Sequence, residues 1–119
     1  MLSDCLARLA LVPEVREKIL ARTRKILQTN YPVFAEWIQS HGELFSLIEP
    51  KAGAIAYFRY KLAINSTQLV EKLLHEKSVL IVPGDHFGMD HFLRIGFGEP
   101  PAYLTTALER VHDTLMTLA

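Results

Sequence analysis

The stretch "PGDHFGMDHFLRIGFG", Pro83 to Gly98, holds the side chains best equipped for chemistry. Asp85-His86 and Asp90-His91 supply ligand types that zinc uses. Equivalent residues of the two pairs are five apart. That spacing fits neither neighbours on one helix face nor residues on one strand face, and the intervening glycine leaves the geometry loose. No metal site is expected there. Arg94 poses a different question. In "FLRIGF" successive side chains point to opposite faces of a strand. Leu93, Ile95 and Phe97 should face the core, while Phe92, Arg94 and Gly96 share the other face. An arginine on that face either pairs with a neighbouring carboxylate or is offered to an anion. Its planar guanidinium matches a carboxylate with two parallel hydrogen bonds, and Gly96 leaves room for a ligand or another backbone. Spacing alone favours the ion pair, because surface pairs are common.

These residues need elements to hold them. Ser3 can cap a short helix running to Val12, with Leu2, Leu6 and Leu9 as its apolar stripe. Pro13 ends that helix or opens the next. From Glu14 to about Ser40, Leu20, Leu27, Tyr31, Phe34 and Ile38 recur at helical spacing. Pro32 lies within this long helix and should kink it; Gly42 is its expected stop. Arg16, Lys18, Arg22, Arg24 and Lys25 read as its solvated face. "AIAYFRY" reads as a strand. Asn65 or Ser66 caps a helix carrying Leu69, Val70, Leu73 and Leu74. "SVLIVPG" and "HFLRIGFG" read as further strands, and "AYLTTALERVHDTLMTLA" as a last helix opened by Pro101. His41, His75 and His112 fall at helix ends or polar helix positions and are expected at the surface. The order implies an α+β fold: a small, mostly antiparallel sheet covered by helices and preceded by a long kinked helix. Residues 1–42 would form the N-terminal helix and an interdomain-type helix, and residues 43–119 the small domain, in one compact unit.

Bulk properties narrow the function. The 119 residues suit one domain, and half of them are hydrophobic, enough for a sizeable core. Thirteen basic and thirteen acidic side chains cancel, so electrostatics gives no reason to expect nucleic acid or a membrane surface. No apolar run is long enough to span a bilayer. "MLSDCLARLALV" carries Asp4 early and Arg8 within its apolar segment, so it does not read as a signal peptide. Cys5 has no internal disulfide partner, which suits a reducing cytoplasm.

The segment "IVPGDHFGMDHFLRIGFG" resembles the C-terminal signature of class I and II pyridoxal-phosphate-dependent aminotransferases, those of the aspartate aminotransferase fold. The matching residues are Pro83, Gly84, Phe87, Gly88, Arg94 and Gly96. Upstream, "REKILARTRKILQTNYPVFAEWI" is similar to the long helix joining the two domains of that family, and "EPKAGAIAYFRY" to the strand opening its small domain. The resemblance implies that Arg94 binds the substrate α-carboxylate. Pro83, Gly84, Phe87 and Gly88 would then belong to an active-site loop. It also implies what is missing. The family's chemistry needs a lysine that forms a Schiff base with pyridoxal phosphate, in a serine-rich segment. This chain has no Ser-Lys or Ser-x-x-Lys and no Gly-rich turn to grip the phosphate; it also lacks the aspartate and the stacking aromatic that hold the cofactor ring. The expectation is a C-terminal small domain that is not catalytic alone. It would hold no cofactor itself and would serve a complete enzyme containing pyridoxal phosphate. Its partner would be a large cofactor-binding domain or a separate chain, and the substrates an amino acid and a 2-oxo acid. The alternative is a non-catalytic binding or assembly module that self-associates, for example as a homodimer, through an apolar stripe at Leu2, Leu6, Leu9 and Val12.

Overall fold

The computed structural model of the chain describes residues 1–118. Helices α1 (Leu2–Ala10) and α2 (Pro13–Ser40) lead into strand β1 (Phe45–Leu47) and strand β2 (Ile55–Tyr60). Helix α3 (Ser66–Lys77), strand β3 (Val82–Pro83), a 3-10 turn (Gly84–Phe87), strand β4 (Phe92–Gly96) and helix α4 (Pro101–Met116) follow. The strands form one sheet in the order β1-β2-β4-β3, antiparallel at every step. The fold is therefore α+β. Strands β2 and β3 run parallel with β4 between them, and α3 makes the crossover that parallel strands require.

Alternation along the strands separates the two faces of the sheet. Phe45, Ala56, Phe58, Tyr60, Leu93 and Ile95 are buried on one face. Against them pack Phe34 and Ile38 of α2, Leu69 and Leu73 of α3, and Leu104, Leu108, Val111 and Leu115 of α4. Phe34 lies between Phe58 and Phe97, with ring centroids 5.8 and 6.0 Å away. No helix of the described residues is long and apolar enough to cross a membrane.

Some local expectations hold and others are revised. Ser3 lies inside α1 rather than capping it, and α1 ends at Ala10. Asn65 is the cap of α3, its side-chain oxygen accepting from the N–H groups of Thr67 and Gln68. Of "SVLIVPG" only Val82 and Pro83 pair with β4, although Val79 and Ile81 still point into the core. Strand β1 has no signature of its own in the sequence, because three residues offer too little periodicity to read. Helix α2 continues through Pro32, and its apolar stripe is buried only towards the C-terminal end, where Asn30, Phe34 and Ile38 meet the sheet layer. His41 and His112 are half-buried rather than surface residues. The end of α2 and the middle of α4 bring their rings together.

Asn30 is a polar side chain within this packing, and its solvent exposure is nil. Its amide donates to the carbonyls of Phe97, at 2.8 Å, and Glu99. These bonds tie the turn between β4 and α4 to α2. Replacing Asn30 by leucine strands the buried Phe97 carbonyl and frees the part-buried Glu99 carbonyl, so thermal unfolding is expected to show a loss of about 1–3 kcal/mol.

Candidate functional site

The helices leave the other face of the sheet uncovered. Register places its side chains in rows. Ser46, Arg59 and Phe92 form one row; Tyr57, Arg94 and Val82 the next; Ile55 and Gly96 the last. Leu93 and Ile95 are buried while Phe92 and Arg94 are half-buried and Gly96 is exposed, as alternation along β4 requires. Tyr57 stacks on Phe92 with ring centroids 5.2 Å apart and planes 19° apart. Arg94 stands directly across from Tyr57 on β2 and Val82 on β3.

Among the described residues, no carboxylate lies within ion-pair distance of the Arg94 guanidinium, and no protein group accepts its hydrogen bonds. The surface ion pair favoured by spacing alone is therefore not formed. Besides Ser46, two further polar groups share this face, and local sequence does not tie either of them to Arg94. Arg59 is exposed one row away, and the Tyr57 hydroxyl is buried without a partner among the described residues. Alternation in "AIAYFRY" puts Tyr57 and Arg59 on one face; only the pairing of β2 with β4 brings that face beside Arg94.

The loop before β4 is built around backbone contacts. Pro83 and Gly84 are buried, Phe87 is 58 % exposed, and Gly88 sits at φ +70°. The two Asp-His pairs have a clear use. Asp90 Oδ1 accepts from the backbone N–H of Ser66, at 2.8 Å, and from that of His91, at 2.7 Å. Asp90 Oδ2 accepts from the Asn65 amide at 2.9 Å. Asp85 accepts from the Thr67 hydroxyl at 2.6 Å, and its own N–H donates to the buried Ser66 hydroxyl. Both carboxylates thus serve the first turn of α3, where free N–H groups and the helix dipole favour negative charge. His86 is exposed, and His91 takes a left-handed backbone conformation, φ +62°, beside Asp90. No group of three or more His, Cys, Asp or Glu side chains that could hold a metal ion occurs among the described residues.

Hydrogen bonds from Ser66 hold the Asp90 carboxyl down at about 2, against partial burial that raises it. The hydroxyl of Thr67 lowers Asp85 in the same direction. A carboxyl whose folded pKa is depressed stabilises the fold above its unfolded value and loses that contribution as pH falls through its folded one. The unfolded value is about 4, so the loop's anchorage should fade between about pH 4 and the value of about 2 that Asp90 takes in the fold. Asp90→Asn is expected to melt earlier than the parent at neutral pH, and the gap should narrow on acidification through that window.

The lysines are Lys18, Lys25, Lys51, Lys61, Lys72 and Lys77, and none belongs to the open-face rows. The chain's own residues do not fit pyridoxal phosphate. They offer two arginines, Arg59 and Arg94, on the open face and no lysine beside them. A groove of about 960 Å³ lies between the Ser78–Ile81 segment, the Ile95–Gly96 end of β4 and the start of α4; Ile55 and Gly96 of the open face line it, and Arg94 does not.

Comparison with known proteins accounts for this combination. Residues 3–111 match the family model "Aminotransferase class I and II". Capreomycidine synthase of Streptomyces vinaceus is 33 % identical over 84 residues, covering 71 % of this chain and 22 % of that protein. Aspartate aminotransferase of Thermotoga maritima is 38 % identical over 68 residues, covering 57 % of this chain and 18 % of its own length. Among solved structures, a PLP-dependent aminotransferase from Streptococcus suis superposes over the whole chain with a TM-score of 0.92 and 29 % identity, the chain covering 31 % of it. The chain spans less than a third of the length of each of these relatives. It belongs to the class I and II aminotransferase family, and corresponds to a fragment of the aspartate aminotransferase fold.

Proposed function

We propose that this chain is the small-domain part of a pyridoxal-phosphate-dependent aminotransferase and supplies Arg94 as the clamp for the substrate α-carboxylate. The supporting observation is a half-buried arginine on the sheet face that the helices leave open, with no ion-pair partner among the described residues. Residues 43–119 form the small domain and residues 1–42 the connection towards a large cofactor-binding domain, carried by the same polypeptide or a second one. The complete enzyme works in the cytoplasm and moves an amino group between an amino acid and a 2-oxo acid. Bound pyridoxal phosphate supplies the carbanion-stabilising chemistry. Arg94 orients the substrate through its carboxylate, and the loop from Pro83 to Gly88 fixes the start of the strand that carries it. The 119-residue chain alone is expected to show neither the visible absorbance of bound pyridoxal phosphate nor turnover. Either signal in pure protein would defeat this reading, and restored turnover on adding a lysine-bearing large domain would support it.

A second reading has its own support. No residue of α1 is buried, and Leu2, Leu6, Leu9 and Val12 are 40–76 % exposed. Such a stripe suits an assembly module that self-associates. Sedimentation separates the two: a concentration-independent monomer counts against self-association.

A further inference from the structure

Where α2 ends, His41 and His112 meet across two helices. His41 Nδ1 lies 2.8 Å from the Trp37 carbonyl oxygen and 3.0 Å from the Ser40 hydroxyl. Its Nε2 lies 2.6 Å from Nδ1 of His112 on α4. A carbonyl oxygen can only accept, so His41 Nδ1 carries the proton and donates it to Trp37. His41 Nε2 then holds a lone pair, and His112 Nδ1–H donates to it. The ring centroids are 4.8 Å apart at 64°, both residues are half-buried, and the Trp37 and Phe45 rings lie against His41.

We propose that His41 Nε2 and His112 Nδ1 form a two-nitrogen site for a divalent transition-metal ion of the zinc, copper or nickel type. Imidazole nitrogen suits these ions, whereas magnesium and calcium take oxygen. With zinc–nitrogen bonds of about 2.0–2.1 Å and a tetrahedral angle, the two nitrogens would stand about 3.3 Å apart. A small rotation of either ring opens the observed contact to that separation. The Trp37 carbonyl already holds His41 in the tautomer a ligand needs, the backing bond that metal-bound histidines generally make. His112 moves its proton from Nδ1 to Nε2 by exchange with water and turns its lone pair to the ion. Among the described residues no third His, Cys, Asp or Glu joins them, so water completes the coordination and the ion exchanges freely. Binding would staple the end of α2 to α4.

The test is titration of the untagged 119-residue chain with Zn²⁺ at neutral pH, read by NMR of the histidine ring nitrogens. The resonances of His41 and His112 are expected to shift, while those of His75, His86 and His91 stay. Mg²⁺ should do nothing, and Cu²⁺ should give an electron paramagnetic resonance signal with two nitrogen couplings. His112→Gln and His41→Gln should each weaken Zn²⁺ binding by about tenfold or more. The proposal fails if excess Zn²⁺ leaves His41 and His112 unmoved, if the shifts fall on His86 or His91, or if His112→Gln binds as well as the parent. The NMR readout needs no substitution, so a variant that misfolds leaves the result decidable.

Discussion

Replacing Arg94 with glutamine in the complete aminotransferase is expected to lower kcat/KM for amino-acid substrates by roughly a hundredfold to ten-thousandfold. Hydrogen bonds to charged groups contribute about 1.5–3 kcal/mol each, and a guanidinium makes two of them in parallel to one carboxylate. Their sum, about 3–6 kcal/mol, converts to that range at about 1.4 kcal/mol per factor of ten. Arg94→Lys keeps the charge but loses the fork, so its loss should fall between those of the parent and the glutamine variant. Two controls make the expectation sharp. An amine lacking the α-carboxylate should react equally with parent and variant. The stability of the chain should change by no more than about 0.5 kcal/mol, because the guanidinium has no partner within the fold among the described residues. Unchanged kcat/KM in Arg94→Gln would remove the carboxylate-clamp role outright.

Period-two alternation sufficed to put Arg94 on the face opposite Leu93 and Ile95, because that pattern is local to one strand. Long apolar periodicity likewise placed α2, α3 and α4. What stayed hidden depends on contacts distant in sequence. Tyr57 and Arg59 become neighbours of Arg94 only through the register of β2 on β4. The embrace of Asp85 and Asp90 around the first turn of α3 joins residues some 18 to 25 positions apart. Viewed locally, these carboxylates looked like candidate ligands; paired across the fold, they are helix caps. His41 and His112, 71 positions apart, passed for unrelated surface residues for the same reason. Strand β1 escaped because its three residues gain strand character from pairing with β2, not from their own pattern.

The glycines of the loop motif illustrate the same limit, and they lead to the second large effect. Gly84→Ala is expected to destabilise the chain by about 3 kcal/mol, at the upper end of what over-packing costs. A Cβ at residue 84 would fall 2.2 Å from the Met89 carbonyl oxygen, 2.6 Å from the Phe92 carbonyl oxygen and 2.7 Å from the Phe92 Cβ. Two of these are backbone atoms, so no rotamer change can relieve the contact. At roughly 4 °C per kcal/mol for a domain near this size, the melting temperature should drop by about 12 °C. Gly88→Ala is the contrast. Its Cβ would meet nothing within 4 Å, but the residue sits at φ +70°. The cost is only that of a left-handed alanine, about 1–2 kcal/mol. Sequence shows two like glycines four positions apart; structure makes one a matter of space and the other of backbone conformation. The difference reaches function because Phe92, which the Gly84 substitution must displace, begins the strand that carries Arg94 two residues later. A stable Gly84→Ala chain that melts within about 1 kcal/mol of the parent would show that the loop is not packed as described, and would loosen the case that it fixes the position of the arginine.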